Sequence, residues 1–130
     1  MVGLNDIRSM LATQFTGDKV ISGAIDRDSA QCIGVFLRPS SRATIAIGGV
    51  SNSTYRELSI AILVHWTESS TTCENKAETI FQFLQGKSNF LIGTKKVISI
   101  IVEGDGPISI DRDEKNICEM VIHANIVYER

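Results

Sequence analysis

The stretch Glu57-Leu58-Ser59-Ile60-Ala61-Ile62-Leu63-Val64-His65-Trp66-Thr67 decides the fold class. Leu58, Ile60, Ile62, Val64 and Trp66 fall on one side of a period-two pattern. Ser59, Ala61, Leu63, His65 and Thr67 fall on the other, so the stretch reads as a strand with one strongly apolar face. Gln31–Arg38 reads as a strand too, with Ile33, Val35 and Leu37 on one face and Cys32, Gly34 and Phe36 on the other. Pro39 ends it, since proline cannot donate to a ladder.

Working outward, Val97–Glu103 forms a strand with Ile98, Ile100 and Val102 on one side. Ile117–Tyr128 forms a long one with Cys118, Met120, Ile122, Ala124, Ile126 and Tyr128 facing in and a mostly polar outer face of Glu119, His123 and Asn125. A short strand is expected near Lys19–Ile25. Two segments carry helical spacing instead. Leu4, Ile7, Met10, Leu11 and Phe15 define a helix over about 5–16, with Asn5 as N-cap and Gly17 as stop. Cys73, Ala77, Ile80, Phe81 and Leu84 define the second, opened by the Thr71/Glu74 capping-box spacing and closed by Gly86.

Helix, strands, helix, strands is an α+β order. The expectation is one domain over 1–130 with a mainly antiparallel four- to five-stranded sheet and two helices packed on one face. A Ser/Gly/Thr-rich loop or arm interrupts it at about 39–56. Two helices cover one sheet face, yet Ile33, Val35 and Leu63 put apolar groups on both faces of the central strands. The long loop or a second subunit must cover the remainder.

The chain has 130 residues, 43% of them hydrophobic, and a net charge of −2. It is long enough to bury a core unaided. Its near-balanced charge offers no global attraction for nucleic acid or anionic membrane. Asp6 and Arg8 interrupt any signal-like run, and the apolar stretch Leu58–Trp66 is about half a membrane span. A soluble protein made in the cytosol is expected. Cys32, Cys73 and Cys118 are odd in number and widely spaced, which fits buried free thiols rather than a disulfide framework.

Chemical motifs fail on inspection. Gly86-Lys87-Ser88 lacks the upstream glycine of a phosphate loop, where Phe81 stands, and it ends a helix instead of starting one. Asp111-Arg112-Asp113-Glu114-Lys115-Asn116 lacks the glycine and the fifth-position oxygen ligand of a calcium loop. His65 and His123 lie on strands and could be sheet neighbours, but no spacing asks for zinc. No catalytic residue, metal or cofactor is expected. A pocket of convergent polar groups beside those histidines would instead mark a small ligand-binding module.

Charge is distributed unevenly. No acid occurs between Asp28 and Glu57, while Arg38, Arg42 and Arg56 do. From Glu103 to Glu119 there are six acids (Glu103, Asp105, Asp111, Asp113, Glu114, Glu119) against Arg112 and Lys115. Such contrast suits head-to-tail contact between subunits.

The run Gly106-Pro107-Ile108-Ser109-Ile110-Asp111-Arg112-Asp113-Glu114-Lys115-Asn116 stands before a last strand ending Asn125-Ile126-Val127-Tyr128. With Cys-Ile-Gly-Val-Phe-Leu at 32–37, the long loop and the helix ending Phe81-Gln82-Phe83-Leu84, it resembles the minor capsid and tail terminator proteins of long-tailed bacteriophages. The resemblance implies a virion structural protein, a ring of commonly six copies at the head-proximal end of the tail tube, and no cofactor or catalysis. Its implied partners are itself, the tail tube protein and head–tail connector proteins, with neither membrane nor sequence-specific nucleic acid. A head-completion or connector role is the alternative at the same junction. Interface candidates are Arg38, Arg42, Ile45 and Ile47 on the loop side, with Asp111, Asp113 and Glu114 as their acidic partners.

Overall fold

A computed structural model describes residues 2–26, 29–38, 55–110, 112 and 115–129. The elements are α1 (Leu4–Gln14), β1 (Val20–Ser22), β2 (Gln31–Leu37), β3 (Tyr55–Trp66), α2 (Ser70–Leu84), β4 (Ser88–Ile92), β5 (Lys95–Val102), β6 (Ile108–Ile110) and β7 (Glu119–Glu129).

The α+β class holds, but the sheet is larger than four or five strands and it is mixed. Seven strands join in the order β1-β2-β3-β7-β5-β4, with β6 also on β7. The β1–β2 pair is parallel, and the other pairs are antiparallel. The excess comes from β4 and β6, five and three residues long in stretches to which the sequence pattern assigns no element. The expected strand at 19–25 shrinks to Val20–Ser22.

The alternation of β3 works as anticipated. Ile60, Ile62 and Val64 pair with Ala124, Ile122 and Met120 of β7, while Ile62 and Val64 also pair with Val35 and Ile33 of β2. That row is buried and meets Ile7 and Leu11 of α1 and Cys73, Ala77, Ile80, Phe81 and Leu84 of α2 in one core. Both helices therefore cover the same face. α1 touches β1, β2 and β4, reaching strands at both ends of the sheet order, so the sheet curls around it.

The caps differ from the sequence reading. Gly3, not Asn5, precedes α1, and its N–H donates to the Asp6 carboxylate at 2.8 Å. Lys95 also donates to Asp6 at 2.8 Å, and chiefly by this bond it holds the carboxyl below its ordinary value. Ser69, not Thr71, caps α2 by accepting from the Thr72 N–H. A serine one residue before the helix satisfies the orphan donor, so the Thr71/Glu74 spacing is left unused. Lys76 of α2 ties the layers: its ammonium pairs with Asp18 and lies 4.6 Å from the Phe15 ring and 4.8 Å from the Trp66 ring.

Gly34 is glycine for a steric reason. The chain after β1 crosses over β2, and a Cβ at 34 would stand 2.4 Å from Ile25 Cγ2 and 2.9 Å from the Ala24 carbonyl. At the opposite end of the sheet order, Asn89 adopts φ +52 within β4 and has no ladder partner between the Ser88–Ser99 and Phe90–Val97 pairs.

Candidate assembly surface on the helix-free face

The residues that alternate with the core row form the second face of the sheet. Gly34, Leu63, Val121 and Ile108 stand side by side across four strands. Cys32, His65, Glu119 and Ile110 make the next row. Farther along, Phe36, Ala61 and His123 align, followed by Ser59, Asn125 and Ile101. On β4, Phe90 pairs with the buried Val97, so its neighbour Leu91, opposite Lys96, belongs to the helix-free side.

Five large apolar residues are exposed among the described residues. Four of them lie on this face: Leu91 at 66%, Ile101 at 52%, Ile108 at 48% and Ile110 at 39%. Leu63 and Val121 beside them are half-buried. The chain segment that crosses Gly34 shelters β2, and the row of Cys32, His65 and Glu119 is buried as well.

A polar cluster interrupts the apolar surface. Arg38 donates through two guanidinium nitrogens to Glu103, at 2.7 and 3.0 Å. Its N–H bonds to the Ser59 carbonyl at 3.0 Å. Ser59 Oγ donates to Asn125 Oδ1 at 2.8 Å, and His123 Nδ1 stands 3.7 Å from Glu103. Arg38, mainly by its hydrogen bonds, holds the Glu103 carboxyl below its ordinary value.

Arg38 is thus the one sequence-derived interface candidate that the structure places, and its guanidinium is bound to an acid of its own chain. Arg42, Ile45, Ile47, Asp111, Asp113 and Glu114 lie outside the described residues, as does most of the 39–56 stretch. Sequence reasoning missed Leu91, Ile101, Ile108 and Ile110 as surface features. Their signal was an apolar residue on the strand side away from the helices, readable only once β4 and β6 are known to be strands.

The chemical candidates separate. His65 opposes Glu119, with Nδ1 3.0 Å from the carboxylate in a buried setting. His123 opposes Ala61, four residues farther along β3, which is ~13 Å at the strand rise. The two histidines are not neighbours. No group of three metal-ligating side chains occurs among the described residues. All three cysteines are free and buried, as expected. Burial, helped by the neighbouring Cys118, pushes the Cys73 thiol up to about 12, which keeps it protonated and non-nucleophilic at neutral pH. An open groove of about 430 Å³ runs between α1 and β4, past Met10, Phe83, Phe90 and Ile92. Neither histidine lines it. Among the described residues no helix is long and apolar enough to cross a membrane.

What the fold and its second face define is a protein that presents a partly apolar sheet surface. A family model described as bacteriophage tail terminator protein matches residues 5–130, nearly the whole chain. The chain belongs to that family, and is by that membership a virion component. No curated protein matches it.

Proposed function

We propose that this protein acts by self-association and docking, without catalysis. Its copies close into a ring, a hexamer by the family resemblance, that caps the tail tube at its head-proximal end and joins it to the head. The observation that carries this reading is the helix-free face, where Leu91, Ile101, Ile108 and Ile110 stay exposed on an otherwise well-packed sheet. Exposed apolar side chains gathered on one face are the usual mark of a surface meant for a partner.

In this reading Arg38, gripped by Glu103, anchors the start of the loop. Arg42, Ile45 and Ile47 then supply contacts to a neighbouring copy or the tube, with Asp111, Asp113 and Glu114 as the answering acids. The tail tube protein is one docking partner and a head–tail connector protein the other; membrane and sequence-specific nucleic acid are not partners.

The test is assembly in solution and on the tube. Sedimentation velocity of the purified protein, alone and with tail tube protein, should give a closed oligomer and tube-end binding visible by electron microscopy. Arg42→Glu should weaken that assembly. A protein that stays monomeric at high concentration and leaves the tube untouched would end the proposal. Binding to the connector but not to the tube would move it to the head-completion role.

A further inference from the structure

Resting on the self-association reading, we propose that the two ends of β5 are the two halves of one subunit contact, in which the basic corner of one copy docks on the acidic corner of the next. Between Glu78 and Glu103 the chain has no acid and carries Lys87, Lys95 and Lys96. From Glu103 to Ile110 it has Glu103 and Asp105 and no cation. Lys95 and Lys96 lie at the β4–β5 turn and form the basic corner, whereas Lys87 precedes β4 and its carbonyl accepts from the Ile100 N–H at 2.9 Å. Glu103 and Asp105 follow the last residue of β5.

Each corner combines charge with exposed apolar area on the same sheet face. At the hairpin, Lys96 stands directly across from Leu91. Lys95 is bound to Asp6, and Lys87 lies 4.7 Å from both the Phe83 and Phe90 rings. Lys96 is exposed and forms no ion pair among the described residues. At the other corner Ile101 precedes the turn and Ile108 follows it. Glu103 is occupied by Arg38, whereas Asp105 is exposed and forms no ion pair among the described residues.

The two corners cannot satisfy each other within one molecule. β5 holds eight residues, so at the strand rise its ends are ~25 Å apart, beyond a Debye length at physiological salt. A second copy can bring Lys96 to Asp105 and Leu91 to Ile101 and Ile108. An apolar centre with complementary charge at its rim is the general form of a specific interface. Because the two corners differ, the contact is head-to-tail, the kind that repeats around a ring.

The experiment is a charge swap read by sedimentation velocity and light scattering. Lys96→Glu and Asp105→Lys are both surface changes, and each variant should melt like the parent. Each alone should associate about tenfold or more weakly, from one like-charge contact per junction. An equimolar mixture should restore the parental oligomer. Single variants that assemble like the parent would overturn this contact while leaving self-association intact. Well-folded variants that fail alone and also fail together would overturn it as well. A parent protein that is monomeric throughout would remove both this contact and the reading beneath it.

Discussion

The two faces of the sheet are built from the same strands, one residue out of phase, and they have opposite chemistry. On the helix side Ile33, Val35, Ile60, Ile62, Val64, Ala124 and Ile126 are fully buried against α1 and α2. On the other side a polar cluster around Arg38 and Glu103 stands among exposed isoleucines and Leu91. The period-two geometry of a strand lets each residue be selected for folding or for display, independently of its neighbour. The first face holds the molecule together, and the second leaves large apolar side chains open to solvent.

That contrast breaks most visibly from the helix side. Phe81→Ala empties a fully buried ring from α2 and should lower the unfolding free energy by about 3–5 kcal/mol, measured in urea titrations. Gly34→Ala tests a sheltered spot on the second face. The added Cβ meets Ile25 Cγ2 at 2.4 Å and Phe36 Cε2 at 2.8 Å, so about 1–3 kcal/mol should be lost. A loss near zero would mean that the crossing segment yields freely.

Arg38→Met should have a smaller effect with a distinctive pH dependence. Glu103 has a lowered carboxyl value in the folded state, so the pair stabilises above the ordinary value of 4.5. That stabilisation disappears as the pH falls below 4.5 through the lowered folded value. Thermal melts of parent and variant should therefore differ at neutral pH and converge in acid. A constant gap would assign Arg38 a packing role instead. The smallest stability effect belongs to Ile101→Ser, an exposed site where the change should stay within about 0.5 kcal/mol. The same substitution should reduce association in sedimentation, which separates display from folding on one side chain.

Much of the fold could be read in the chain because its strongest signals are local and long. β3 and β7 alternate over twelve and eleven residues, and both helices carry clear stripes. Even the second face was anticipated, from Leu63 alternating with the core row of β3. The shortfall lies in short or distant features. β6 is three residues of Ile-Ser-Ile after a proline, too brief for a period to register. β4 follows Gly86 and includes Asn89 in a turn-like conformation, so it resembles a loop. The parallel pairing of β1 depends on where the chain returns, which no local pattern encodes. The Arg38–Glu103 pair joins residues 65 apart in sequence. The charge contrast between their two segments was plain, but whether such charges meet within one chain or between two is set by tertiary geometry.

Asn89 has a consequence for growth. An open row of amide and carbonyl groups invites unlimited stacking of copies, the route to fibres. The left-handed residue in β4 breaks that row after Ser88 and leaves only Phe90 to Ile92 in regular extension. The turn-like residue thus interrupts the outer ladder of β4 at an edge of the sheet, so a further strand finds only three residues in regular register there. Any lasting contact at that edge falls to side chains, whose shapes limit how many can join.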